Sequence, residues 1–163
     1  MKRALILLPL LLAACSKTGP IEAGSEVKFH YKLTVDGAVI DSSEGKEPLA
    51  YKQGAGMIVP GLERQLAGKR AGERFTAVVE AKDGYGEHQP AGVKTVPWPA
   101  FGGEKAARKL TVGETVSGQA DGRPFPAKVV GFKGDGVQLD LNHPLAGKKL
   151  EFAVEVVEVR KGQ

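Results

Sequence analysis

The chain has 163 residues, a formal charge of +4, 26% charged residues and a single cysteine. One cysteine excludes an internal disulfide, and the small net charge, without a basic stripe interleaved with aromatic residues, argues against a nucleic-acid-binding protein. The length suits one ordinary domain or two small ones.

The N-terminus has the pattern of a bacterial lipoprotein signal peptide. Lys2 and Arg3 precede an apolar run at residues 4–12, which is too short to span a bilayer as a helix. Small residues then lead to Cys15, where such a signal is cleaved and lipidated. We therefore predict a signal peptide at residues 1–14 and lipidation of Cys15. Ordinary cleavage that happens to leave a cysteine is the alternative.

A polar segment follows the cysteine. Residues 15–25 contain glycine and proline and are predicted to form a tether. Ser16 stands where an aspartate would favour retention at the inner membrane of enteric bacteria. The sequence therefore favours an outer-membrane anchor, with the protein facing the periplasm. Loss of Lys2 and Arg3 with the signal peptide would leave a charge of +2.

Strand patterns begin after the tether. Residues 27–35 alternate apolar and polar side chains, as a half-buried strand does, and residues 36–37 are a hairpin-type Asp-Gly turn. The return strand is predicted to start at residues 38–40. Further strands are predicted at residues 75–80 and 150–159, and the last alternates over ten residues.

Residues 54–75 contain the predicted helix. A glycine-rich turn precedes Ile58 and Val59, and a Pro-Gly pair then opens a short helix with Leu62 and Leu66 on one face. This order places apolar side chains and free backbone N–H groups at the start of a helix, which suits the binding of an uncharged peptide. One helix against antiparallel strands predicts an α+β fold.

The pattern changes between Tyr85 and Asn142. A turn rich in proline and tryptophan is followed by three short strand-like runs at residues 114–119, 126–132 and 137–141, which glycine-containing turns connect. We interpret this segment as a small β meander with its own core. It would be marginally stable alone, but the parent domain can hold both of its ends.

The order of these motifs resembles the FKBP-type peptidyl-prolyl isomerases of the SlyD-like subclass, which carry an insert-in-flap domain. The motifs are VDGAVIDSS (35–43), GAGMIVPGLERQLAGKRAGERF (54–75), DGYG (83–86) and NHPLAGKKLEFAVEVVEV (142–159). The resemblance implies an FKBP-like antiparallel sheet with one short helix and a small, mostly-β insert. It divides the chain into an isomerase domain at residues 26–91 and 136–160 and an insert-in-flap chaperone domain at residues 92–135.

The resemblance also implies a peptide-binding pocket, residue by residue. The catalytic residues it implies are Tyr31, Asp41, Val59 and Tyr85, and the substrate-binding residues are Ile40, Leu49, Tyr51, Ile58, Leu62 and Phe152. The Val59 N–H would bind one substrate carbonyl, Tyr85 would meet the prolyl carbonyl, and Asp41 would orient Tyr31 without transferring a proton. Leu62 stands where many members of the family have tryptophan, so weaker binding of macrolide inhibitors is expected.

Simpler interpretations exist for the same residues. Ile58, Val59, Leu62 and Phe152 could be plain core, Tyr85 could be a turn residue, and Asp41 could cap a turn. The histidines are too scattered along the sequence for a ligand set, so we expect no metal site. SlyD-like proteins often carry a His- and Cys-rich tail, and no such metal-binding tail is expected here. The implied reaction needs no cofactor.

The predicted function is peptidyl-prolyl isomerisation and folding assistance for exported proteins from a lipid anchor in the cell envelope. The expected partners are unfolded or partly folded exported polypeptides with X-Pro bonds, and a monomer is expected. The alternatives are a holdase chaperone or peptide-binding lipoprotein with little isomerase activity, and a structural or adhesion lipoprotein. The insert is expected to expose part of its apolar surface as a patch for unfolded chains. Its apolar residues include Val96, Trp98, Phe101, Phe125 and Val129.

Overall fold

The computed structural model describes residues 19–120 and 123–162. The predicted signal peptide, Cys15 and the first part of the predicted tether lie outside the described residues. Among the helices of the described ranges, none is long and apolar enough to cross a membrane.

Within residues 19–120 and 123–162, nine strands make up two antiparallel sheets. In chain order they are β1 (Glu26–Val35), β2 (Ala38–Ser42), β3 (Leu49–Lys52), β4 (Arg74–Val79), β5 (Val93–Pro97), β6 (Thr115–Ala120), β7 (Arg123–Lys133), β8 (Gly136–Asp140) and β9 (Leu150–Arg160). Two α-helices, α1 (Pro60–Leu66) and α2 (Glu104–Ala107), accompany them. Short 3₁₀ turns lie at Ala81–Asp83, Pro90–Gly92 and Trp98–Phe101.

The larger sheet has the strand order β2-β1-β9-β4, and β3 pairs with the first part of β1. Along β1 and most of β9, buried side chains on the inner face of the sheet alternate with more exposed side chains on its outer face, as the sequence pattern predicts. Helix α1 covers the inner face and buries Leu62 and Leu66 against it. Gly61 permits this close approach, because a Cβ there would lie 2.5 Å from Cγ1 of Val79.

The end of the predicted tether belongs to the fold. Ile21 is buried in the main core, its N–H donates to the carbonyl of Lys69 at 2.8 Å, and its carbonyl accepts from the N–H of Gly68 at 2.8 Å. Ser25 is also buried. A tether that reaches residue 25 is therefore wrong, because apolar burial and two backbone hydrogen bonds fix the chain from Ile21 onward.

The smaller sheet has the order β5-β8-β7-β6 and its own core. The fully buried members of that core are Ala107, Ala127, Val129, Val137 and Leu139. The predicted end of the insert at residue 135 is wrong, because β8 pairs with both β5 and β7 and extends this sheet to Asp140. Strand β5 itself, like β3 in the larger sheet, was not predicted from the sequence.

The apolar patch expected on the insert differs from the prediction. Val129 is fully buried, and Val96, Trp98, Phe101 and Phe125 are only partly buried where they pack against the second core. The more exposed large apolar side chains of this part are Val112, Val130 and Phe132. Two of them come from β7: Val130 lies where its register with β8 shifts, and Phe132 lies opposite the buried Val137 and 6.2 Å from the Trp98 ring, at the edge of the core.

Candidate functional site

A cavity of about 200 Å³ opens on the inner face of the larger sheet, beside the start of α1. Most of its wall is apolar, and its polar groups are one carboxylate and two phenols. The lining residues are Phe29, Tyr31, Leu33, Asp41, Leu49, Met57, Ile58, Val59, Leu62, Tyr85 and Phe152. Such a wall suits a neutral, partly apolar ligand held by a few oriented polar groups.

The Tyr31 hydroxyl and Asp41 form the polar centre of the cavity. The hydroxyl donates to Oδ2 of Asp41 at 2.6 Å, and Oδ1 of Asp41 accepts the N–H of Ser42 at 2.8 Å. The hydrogen bond to Asp41, with burial and the charges of Asp41 and Tyr85, raises the pKa of Tyr31 from 10.0 to about 12. The hydrogen bonds from Tyr31 and Ser42 lower the pKa of Asp41. At neutral pH the pair is a neutral phenol donating to a carboxylate.

Aromatic rings hold Tyr31 in place. Its ring centroid lies 6.1 Å from that of Phe29 and 6.3 Å from that of Phe152. Phe29 in turn packs edge-on against Tyr51 at 5.5 Å. Tilted and edge-on arrangements at these separations are favourable, so the ring that carries the hydroxyl is fixed by packing as well as by Asp41.

The start of helix α1 presents a backbone donor to the cavity. Val59 is the N-cap residue, with φ −59° and ψ 136°, and its carbonyl accepts from the N–H groups of Leu62 and Glu63 at 3.0 and 3.1 Å. No group within residues 19–120 and 123–162 accepts a hydrogen bond from the Val59 N–H. Pro60 follows and has no N–H. Val59 lines the cavity, so its N–H is a donor at this helix start that a ligand there could use.

Tyr85 closes one side of the cavity from a loop. It stands between Gly84 and Gly86, and 40% of its side chain is exposed. No described residue forms a hydrogen bond with its hydroxyl, which leaves that group free for a ligand. Its ring stacks on the imidazole of His143.

The structure brings eight of the ten predicted pocket residues to one cavity. Ile40 is not among them; it is 50% exposed and lies where the β1–β2 register shifts, between Asp41 opposite Leu33 and Val39 opposite Thr34. Tyr51 is not among them either. It is 3% exposed in the core behind Phe29, and its hydroxyl donates to Oε1 of Gln53 at 2.8 Å. The structure places neither of these two residues on the wall of this cavity, and their role in binding substrate stays a prediction.

Three lining residues were missed from the sequence. Phe29 and Leu33 stand two residues to either side of Tyr31 on β1, and strand alternation could have placed them on the same face. Met57 directly precedes Ile58, and its position in a glycine-rich turn gives no such signal.

A larger open groove of about 640 Å³ lies on the outer face of the same sheet. It includes His30 and Lys32, which alternate along β1 with the inner-face residues. Its charged groups pair with each other, as in the 2.8 Å contact between Arg74 and Glu155. The larger groove is therefore a solvated surface whose charged side chains pair with one another. The smaller cavity, with its apolar wall and few polar groups, is better suited to binding a peptide. No cluster of three His, Cys, Asp or Glu in the described ranges could hold a metal ion.

The family model described as FKBP-type peptidyl-prolyl cis-trans isomerase matches residues 17–157. The chain belongs to this family. Curated relatives named FKBP-type peptidyl-prolyl cis-trans isomerase SlyD are 41% identical in Vibrio cholerae, 37% in Haemophilus influenzae and 38% in Escherichia coli K12. The matches cover 86%, 86% and 83% of this chain and 69%, 73% and 68% of those proteins, respectively. The protein is an FKBP-type peptidyl-prolyl cis-trans isomerase similar to SlyD, and the expected fold, an FKBP-like sheet with a β insert, is confirmed.

Proposed function

We propose that this isomerase is a lipid-anchored folding helper of the cell envelope, which acts on exported polypeptides with X-Pro bonds. The observation that carries the envelope part is the sequence of residues 1–15, a short apolar run behind Lys2 and Arg3 that ends in Leu-Ala-Ala-Cys. A lipid-modified Cys15 with several acyl chains would hold the protein at the membrane without further contacts. Its clients would then be the proteins that fold on the periplasmic side.

The catalytic part of the proposal depends on the cavity. An X-Pro bond rotates over a barrier of about 18–20 kcal/mol, and rotation interrupts the amide resonance. The twisted amide has less charge separation than the planar one, so removing water raises the planar ground state more. The Tyr31, Leu62 and Phe152 side chains provide an apolar wall that would exclude water from the bound amide.

Two polar groups would hold the peptide while it rotates, and a third would orient Tyr31. The Val59 N–H would bind the carbonyl of one flanking residue, and the Tyr85 hydroxyl would bind another. Asp41 would keep the Tyr31 hydroxyl oriented by accepting its 2.6 Å hydrogen bond. A thousandfold acceleration requires only about 4 kcal/mol, which desolvation and one or two hydrogen bonds can supply. No proton transfer is needed.

The smaller sheet would hold unfolded chains near the cavity. Its exposed Val112, Val130 and Phe132 offer apolar surface that an unfolded chain could contact. Holding a chain there raises its effective concentration at the cavity. In linked systems this increase strengthens overall binding by about a hundredfold or more. The insert would therefore matter for protein clients and much less for short peptides.

Fractionation of cells that express Cys15→Ser tests the anchor. The wild-type protein should fractionate with membranes and incorporate radioactive palmitate, whereas Cys15→Ser should give an unlabelled, soluble or uncleaved form. Ser16→Asp is the matched variant, because it keeps the cysteine and should move the labelled protein from outer to inner membrane. Palmitate incorporation that persists in Cys15→Ser would rule out the anchor.

The choice of clients needs a separate test. A periplasmic protein whose refolding is limited by proline isomerisation should accumulate in its unfolded form when the gene is deleted. Cys15-dependent complementation of this defect would support the envelope role. Restoration by a form confined to the cytoplasm would contradict it.

A further inference from the structure

Tyr85 poses a problem of positioning. It faces the cavity from a loop, is 40% exposed and is flanked by two glycines, which do not restrict the backbone as other residues do. Its hydroxyl receives no hydrogen bond from any described residue. A side chain with these surroundings can adopt several rotamers unless another group holds its ring. If the ring is fixed only when the peptide binds, the loss of rotamer entropy opposes substrate binding.

The imidazole of His143 holds that ring. The two ring centroids are 4.0 Å apart and the planes are inclined by 3°, so the rings are stacked face to face. The two residues are 58 positions apart in the chain, so this contact depends on the return of the chain from the smaller sheet. No other aromatic ring in the described ranges stacks on Tyr85.

His143 is itself fixed by its neighbours. Its Nδ1 accepts the N–H of Leu145 at 3.1 Å, its carbonyl accepts the N–H of Ala146 at 2.8 Å, and Pro144 restricts the turn between them. The Nδ1 acceptor role leaves the proton of a neutral imidazole on Nε2. The ring therefore has a defined orientation before Tyr85 packs on it.

The residue before His143 connects this turn to the Tyr85 loop. Oδ1 of Asn142 accepts the N–H of Gln89 at 2.9 Å, and its amide nitrogen donates to the Gln89 carbonyl at 3.0 Å. The Gly147 N–H donates to the Gly86 carbonyl at 2.8 Å on the other side of the stack. These bonds flank the ring pair on both sides and keep the two loops in register.

We propose that His143 is a positioning residue of the isomerase, which holds the Tyr85 ring by stacking so that the Tyr85 hydroxyl is directed into the cavity before the peptide binds. The proposal rests on the proposed role of Tyr85 in binding a substrate carbonyl. It assigns to the histidine of the Asn-His-Pro-Leu turn a function in catalysis, in addition to its place in the connection back to β9. His143 acts through Tyr85 and needs no contact with the substrate.

The test is a double-mutant cycle with the full-length protein in mild detergent, read out as kcat and KM on an X-Pro-Phe peptide. His143→Leu should lower kcat/KM by roughly three- to tenfold, mainly through kcat, because it removes the planar ring and keeps the bulk. His143→Phe keeps a planar ring and should retain at least about half of the wild-type value. Tyr85→Leu should lower the value, and adding His143→Leu to it should cause no further loss.

Two controls separate stacking from general damage. His88→Leu removes another exposed imidazole of the same junction, which contacts Asp140 but not Tyr85, and should change turnover by less than about twofold. The Tyr85 ring proton resonances should move on His143→Leu, since they lose the ring current of the imidazole, and should stay nearly in place on His88→Leu. Thermal unfolding of each variant measures the loss of fold stability directly.

The results separate two hypotheses: that Tyr85 binds a substrate carbonyl, and that His143 positions Tyr85. If Tyr85→Leu has no effect, the proposed role of Tyr85 fails, and with it this inference. If Tyr85→Leu has an effect but His143→Leu has none, only the inference fails. It also fails if His143→Phe is as impaired as His143→Leu, or if the His143→Leu loss persists in the Tyr85→Leu background, because a role through stacking predicts neither.

Discussion

The Tyr31 hydroxyl donates a 2.6 Å hydrogen bond to Asp41 across the β1–β2 pair, where Asp41 lies opposite Leu33 in the ladder. The N–H of Ser42 donates to the other carboxylate oxygen, Oδ1. Each oxygen of the carboxylate therefore accepts one hydrogen bond, and the bond at Oδ2 holds the phenol. This arrangement orients a neutral hydroxyl in a largely apolar cavity.

Replacement of Asp41 tests this orienting role. Asp41→Leu should reduce kcat/KM on an X-Pro-Phe peptide by roughly tenfold, because the Tyr31 hydroxyl loses its acceptor and its ring can rotate. Asp41→Asn keeps an acceptor oxygen at the same place and should lose less than about threefold. Equal losses in the two variants would mean that the charge of Asp41, and not its hydrogen bond, is required.

The pH dependence of the pair follows from its pKa shifts. Tyr31 is protonated more readily in the folded state, so its contribution to stability is complete below pH 10 and is lost as the pH rises toward about 12. The pKa of Asp41 is lowered, so its contribution is complete above pH 3.8 and is lost as the pH falls through the folded value. Neither group titrates near neutrality.

The ratio of wild-type to Asp41→Asn kcat/KM should therefore stay constant between about pH 5 and pH 9. Taking the ratio cancels the effect of every titrating group that the two proteins share. A ratio that changes by a factor of ten within this window would show that Asp41 or Tyr31 exchanges a proton during turnover.

The N–H of Val59 can be removed with little disturbance of the backbone. Val59 has φ −59°, which is the value that proline imposes, and it already precedes a proline with ψ 136°. Val59→Pro should lower kcat/KM by roughly fivefold or more, since a substrate carbonyl loses its donor. Val59→Ala keeps the N–H and should lose less. The donor role is wrong if Val59→Pro is as active as Val59→Ala and both melt at similar temperatures.

The smaller sheet can be excised at a junction that the structure defines. The N–H of Leu141 donates to the carbonyl of Gly92 at 3.0 Å, so a short turn can join these residues in place of residues 93–140. Turnover of a short peptide should fall by less than about threefold, whereas catalysed refolding of a proline-limited protein should fall at least about tenfold. Proportional losses of both activities would show that the sheet only supports the cavity.

A point variant controls for the contacts that excision removes at the junction. Asp140 accepts hydrogen bonds from the N–H and the side-chain amide of Asn142 at 2.9 and 2.7 Å, and contacts Nε2 of His88 at 2.8 Å. Asp140→Ala removes these bonds but keeps the smaller sheet. It should retain most of the refolding activity, and a loss as large as that of the excised protein would assign the effect to the junction.

The sequence by itself determined the strands with clear alternation and the helix. Residues 27–35 and 150–156 each repeat apolar side chains at every second position, as a one-sided strand does, and β1 and β9 lie there. The Pro-Gly start and the spacing of Leu62 and Leu66 likewise place α1 where it is found. These are local signals, because each depends on the geometry of one element.

Tertiary structure alone decided which neighbours share the cavity. Ile40 and Asp41 are adjacent in sequence, yet Ile40 is half exposed at a shift in the β1–β2 register, whereas Asp41 accepts the hydrogen bond of Tyr31 in the cavity. The short strands β3 and β5 contain too few residues for a periodic signal, and pairing with β1 and β8 defines them. The stack of His143 on Tyr85 joins residues 58 positions apart, and no local pattern encodes such a contact because the folding of the chain between them creates it.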